Sequence, residues 1–156
     1  MKNITKLVTM IIGIMSSFPH SILALAARIF MGLQFYKSGV LKFDGWFNLS
    51  DTTIYLFEND FSAVPLPPIL SAHMAAYGEV AFGILLMIGL AGRFAALALL
   101  GMVAVIEIFV YPEAYILHGL WAVSLLYIVK YGAGTVSFDY FVKKYFGVEK
   151  AVPVTN

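Results

Sequence analysis

Lys42, Glu107 and His118 have side chains suited to holding a polar head group and passing it a proton. Each interrupts or borders a long apolar run in the sequence. A lysine, a carboxylate and an imidazole that converge can hydrogen-bond a ligand and exchange a proton with it. His73 and Tyr77 stand one helical turn apart on another run and could join them. Arg28 and Glu79 lie deeper inside apolar stretches. A charge within a membrane is costly and should face a partner or a cavity.

The elements that must carry these residues follow from composition. The chain has 156 residues, of which 61% are hydrophobic and 12% charged. Soluble domains are nearer half apolar and a quarter charged. Mean hydropathy is +0.87, which points to an integral membrane protein in contact with lipid. A formal net charge of +1 leaves no basic stripe for a nucleic-acid partner. The sequence has no cysteine, which excludes a thiol oxidoreductase working through its own cysteines, as well as iron–sulfur ligation.

Hydropathy and length predict an all-α membrane protein, a single domain built as a four-transmembrane-helix bundle. The spans are expected at 19–41, 69–90, 93–111 and 113–131. Residues 4–18 place Ile4, Leu7, Val8, Ile11, Ile12 and Met15 on one face. With Lys2 and Lys6 this segment (1–18) reads as an interfacial N-terminal amphipathic helix. A cleaved signal peptide ending near "ALA" at 24–26 is the competing reading. The long outer loop 42–68 should hold a short helix at 51–58, capped by Ser50 and closed by Pro65, Pro67 and Pro68. A C-terminal surface helix is expected at 137–147. The lysines near both termini and Arg93 in the short turn, against an acidic loop without a base after Lys42, predict a multi-pass protein with both termini in the cytoplasm, in the inner membrane if the source is a Gram-negative bacterium.

Counting rise per residue from the start of each helix puts Arg28 about 14 Å and Glu79 about 15 Å deep, both near the midplane. The two are therefore expected to form a buried ion pair, read as a structural clamp rather than a reaction centre. Arg28, Gly32, Phe35, Gly39 and Lys42 make one stripe on the first helix, which should face the bundle interior. Glu107 and His118 come out about 6 Å and 8 Å from the outer ends of their helices. With Lys42 they could form a ligand pocket beneath the acidic loop. His73 alone is more often a capping or interface residue, and His20 is expected to be solvated at the cytoplasmic edge. Trp46, Tyr55, Tyr111 and Trp121 suit the membrane interface, although an aromatic lid could also stack on a quinone ring. The three histidines lack metal-ligand spacing, so no metal site is expected.

The stretches "RIFMGLQFYKSGVLKFDGW", "LFENDFSAVPLPPIL", "GEVAFGILLMIGLAGRFAALALLGMVAVIEIFVYPEAYILHGLWAVSLL" and "GAGTVSFD" together resemble the DoxX family of bacterial membrane proteins. The resemblance covers roughly residues 19–142 and implies a four-helix membrane bundle. Positions matching the family's pattern are Arg28, Gly39, Lys42, Asp44, Gly45, Glu79, Arg93, Pro112, His118 and Trp121. Glu107 departs from the glutamine that similar sequences favour. The family takes its name from association with a thiosulfate:quinone oxidoreductase, and with the polar cluster this makes the leading expectation a subunit that binds a quinone-like or lipidic ligand and supports an electron-transfer or stress-linked oxidoreductase. The ligand residues would be Lys42, Glu107, His118, Trp121, His73 and Tyr77, with quinone as the possible cofactor. Loop 46–61 would cover the ligand. A non-enzymatic scaffold docking a periplasmic partner, and a small-solute transporter acting as a homo-oligomer, are the competing readings.

Overall fold

A computed structural model describes residues 2–45 and 47–147. The described chain is helical apart from turns and one isolated bridge between Phe43 and Leu49. The helices are α1 (Lys2–Ser16), α2 (His20–Val40), α3 (Asp51–Asn59), α4 (Pro68–Ile88), α5 (Gly92–Phe109), α6 (Tyr115–Tyr131) and α7 (Phe138–Phe146). A 3-10 turn, Pro112–Ala114, leads into α6, so the last span starts as a tighter turn than the proline suggested.

Three of these stretches are long and apolar enough by themselves to cross a membrane: α4, α5 and Pro112–Tyr131. α1 and α2 meet that test together as a pair bent by 53°. The chain is an all-α membrane protein. The break falls at Ser17–Pro19, where proline denies the backbone a donor. α1 then leaves the bundle with Ile4, Leu7, Ile11 and Met15 exposed.

Local chemistry sets the other ends. Ser50 caps α3 by accepting a 3.2 Å bond from the amide of Thr53. Pro68 opens α4, where a missing amide costs nothing. α4 ends at Gly89 with φ 71°, a left-handed conformation that glycine adopts without strain. The chain turns through Leu90 and Ala91 and returns as α5, so α4 and α5 form a tight antiparallel hairpin.

The four long helices form a ring. α2 packs on α4 and α6, and α5 packs on α4 and α6, while α3 lies against α4. Lipid is as apolar as leucine, so helices associate through close packing rather than hydrophobic exclusion. α2 and α4 approach closely at glycines. A Cβ on Gly83 would lie 2.9 Å from the Gly32 carbonyl oxygen and 2.9 Å from the Tyr36 amide nitrogen. The apolar core collects Met31, Phe35, Leu86, Ala95, Ala96, Leu99, Val103, Leu125 and Ile128. It fills the half of the bundle nearer α7. Large side chains such as Phe30, Phe94, Ile108, Ile116 and Val123 point outward, where lipid takes them up.

The glycine contacts give a direct test. Gly83→Ala pushes a methyl group into backbone, and should cost about 1–3 kcal/mol of stability. Gly101→Ala meets nothing within 4 Å and should stay within about 0.5 kcal/mol of the parent. Thermal unfolding of both variants in the same detergent checks the contrast.

Candidate functional site

Glu79 is 3% exposed and pairs with Lys42, not with Arg28. The Lys42 Nζ lies 2.6 Å from Glu79 Oε2 and also donates to Ser38 Oγ at 3.0 Å and to the Ser38 carbonyl at 3.3 Å. The expected Arg28–Glu79 pair is thus corrected, and the reason is register. Depths counted from each helix's own start assume that the helices begin level with opposite surfaces. α2 is instead shifted along α4, with Gly39 facing Glu79 and Val80 and Gly32 facing Gly83 and Met87. Lys42 follows Gly39 by three residues and reaches Glu79. Arg28 lies roughly 16 Å from Gly39 along the helix axis, toward the α4–α5 turn.

Arg28 has a different role there. It is 1% exposed, and its Nη2 donates to the Val136 carbonyl at 2.5 Å. Gly89 leaves room for it, since a Cβ at that position would fall 1.7 Å from Nη1. Nearby, the Asp139 carboxylate accepts from the amides of Ala91 at 2.7 Å and Gly92 at 2.8 Å. Those amides open α5, where an anion is stabilised by the helix dipole. His20 is not solvated: its Nδ1 lies 2.8 Å from the Tyr127 hydroxyl, and its ring packs on Tyr127 and Tyr131.

At the other end the ring opens into a cavity of about 680 Å³. Its walls come from every long helix of the ring: Phe35, Ser38 and Lys42 from α2, Glu79 and Phe82 from α4, Met102 and Val105 from α5, His118 and Trp121 from α6. Leu56 and Phe57 of α3, with Phe61 beyond it, close the top. The Trp121 ring stands between Phe35 at 5.7 Å and His118 at 5.3 Å, centroid to centroid. His118 is 6% exposed, and its Nδ1 lies 2.5 Å from Glu107 Oε2.

The residues expected to bind a ligand therefore divide. Lys42, His118 and Trp121 line the cavity. Glu107 stands behind His118 and outside the lining, where its carboxylate meets the imidazole. His73 and Tyr77 are corrected. They stack on each other outside the cavity, with the His73 ring 2.8 Å from the Ile69 carbonyl. The Tyr77 hydroxyl donates to the Phe47 carbonyl at 3.0 Å and its ring packs on Phe43, so it holds the loop that leaves α2. Trp46 lies outside the described residues. His73 does not line the cavity that holds His118.

The cover is tied to the charged wall by one residue. The Lys42 carbonyl accepts from the Ser50 amide at 3.0 Å and from Thr53 Oγ1 at 3.1 Å. Thr53 is 5% exposed, so this anchor of α3 is sheltered from solvent. Phe57 stacks on Phe61 at 4.4 Å, and Phe61 meets the Tyr111 ring edge-on at 6.0 Å. Tyr111 also lines the cavity, and its hydroxyl lies 3.4 Å from Asp60. Sequence reasoning gave no site role to Ser38, and reached Phe57 and Phe61 only as part of the covering loop 46–61. The signal for Ser38 was its place one turn before Lys42. Phe57 and Phe61 gave a matching spacing of four.

The comparisons with known proteins agree with this architecture. The DoxX family model matches residues 23–112. The chain belongs to the DoxX family. The matched stretch holds Lys42, Glu79 and Glu107 and stops before His118 and Trp121. An uncharacterized protein of Haemophilus influenzae is 30% identical over 131 residues, which is 77% of this DoxX chain and 83% of that protein. No solved structure matches the chain.

Two outcomes follow from this geometry. Lys42→Met leaves the Glu79 carboxylate unpaired in the bundle and should cost about 3–5 kcal/mol, most of it recovered in the Lys42→Met/Glu79→Leu double variant. A double-mutant cycle read by thermal unfolding checks this, and pairing Arg28→Met with Glu79→Leu should show no coupling. Burial, then the charge of Asp60 and the bond to it, then Glu113, push the Tyr111 phenol above its usual value. The unfolded chain loses that proton first, so the contribution is whole below about pH 10 and falls as pH rises further. Tyr111→Phe should flatten the alkaline loss of stability, measured by unfolding at a series of pH values.

Proposed function

We propose that this DoxX protein binds a quinone-like or lipidic ligand in the cavity beneath α3 and supports a membrane oxidoreductase in electron transfer or stress response. The observation that carries the reading is the cavity itself. Its volume falls in the range of small-molecule sites, its walls are mostly apolar, and a few polar groups interrupt them at fixed places. An apolar ring or tail would pack on Phe35, Phe82 and Trp121, with its head group toward Lys42–Glu79 and His118. α3 would cover it, anchored through the Lys42 carbonyl. The chain has no cysteine, so electrons would come from a partner or from a further cofactor. The reading places the protein in the bacterial inner membrane with both termini cytoplasmic and α3 on the outer side, in keeping with the lysines near the termini and the acidic loop.

Native mass spectrometry of the detergent-solubilised protein tests the reading. A co-purifying quinone or lipid should be found, and its occupancy should fall by about tenfold in His118→Ala, the loss expected for one well-placed polar contact. Purified protein that neither carries nor takes up such a molecule would overturn it.

A further inference from the structure

Glu79 and His118 keep open hydrogen-bond acceptors in the cavity lining, while Lys42, Ser71 and Tyr111 spend their donors within the protein and the Gln34 amide and the Trp121 indole keep theirs. Lys42 directs its ammonium protons at Glu79 and Ser38. Ser71 gives its hydroxyl proton to the Pro67 carbonyl at 2.8 Å, and Tyr111 aims its own at Asp60. The acceptors are left open. Glu79 meets Lys42 through Oε2 alone, and among the described residues nothing donates to Oε1. His118 turns Nδ1 to the Glu107 carboxylate, which holds the proton of a neutral imidazole on that nitrogen and leaves a lone pair on Nε2. Among the described residues Nε2 has no partner either, and it is not sealed away from the cavity that His118 lines. A carbonyl placed against either lone pair gains nothing, whereas a hydroxyl donates its one proton to either of them and can still accept from the Trp121 indole.

We propose, building on the reading of the cavity as an amphiphile site, that it selects a hydroxyl-bearing ligand: among quinone-like molecules the hydroquinone, not the quinone. Glu79 and His118 determine that preference, and Glu107 sets it indirectly by fixing the His118 tautomer. A lipid alcohol head presents the same chemistry.

Isothermal titration calorimetry of the purified full-length chain in detergent, kept anaerobic, tests the inference with two matched pairs. One is a short-tailed naphthohydroquinone and its naphthoquinone. The other is a monoacylglycerol and the methyl ester of the same fatty acid. The hydroxyl-bearing member should bind at least about tenfold tighter in one pair, the cost of meeting an acceptor with an acceptor. The pair that shows the preference names the source. His118→Phe should bring that ratio within about threefold by removing one acceptor. Equal binding within both pairs, or tighter binding of the quinone, overturns the selectivity and leaves the cavity reading intact. Binding of none of the four overturns the cavity reading and the selectivity with it.

Discussion

The ion pair between Lys42 and Glu79 is the contact through which the upper half of this bundle is organised. In an apolar ring a lone lysine or glutamate would be costly, so each charge holds the other in place. The pair joins the exit of α2 to the middle of α4 and so fixes how the two helices are offset. The same lysine supplies the carbonyl on which α3 begins. Ammonium and carbonyl thus work in opposite directions from one residue, one toward the cavity wall and one toward its cover.

The bundle has a second charged fastening at the other end, built on different chemistry. Asp139 caps the start of α5 with its two oxygens, and the backbone amide of Asp139 donates to the Gly89 carbonyl at 2.9 Å. Arg28 reaches into the same corner and binds the strand of chain before α7. The α4–α5 hairpin is therefore gripped at its turn by residues from α2 and from the α7 segment. Between the two fastenings, α2 and α4 touch at glycines, where no side chain separates the backbones. Charge sets the register and small residues set the distance.

Much of this could be read from the chain. The spans are legible because apolar runs of that length have few alternatives, and α3 is legible from Ser50 and the prolines that follow. The stripe from Arg28 to Gly39 is also buried as its spacing predicts. The pairing of charges was not legible. It depends on how far one helix slides along another, and hydropathy is indifferent to a slide of several residues. His73 and Tyr77 were misplaced for a related reason. α4 is apolar around most of its circumference, so its sequence does not show which face turns inward. Phe57 and Phe61 acquire their place only when the loop folds back over helices distant in the chain. The Asp139 cap likewise joins residues nearly fifty positions apart.

The core and the cavity divide the bundle between them, and this division has a consequence for how such proteins can diverge. Leu86, Leu99, Leu125 and Ile128 are sealed in the solid half, where an altered side chain disturbs close-packed neighbours. The residues around the hollow half border open space, and many of them can change size without forcing a neighbour to move. The hollow can change shape there while the scaffold below stays constant. A lineage built on this plan could remodel its vestibule alone.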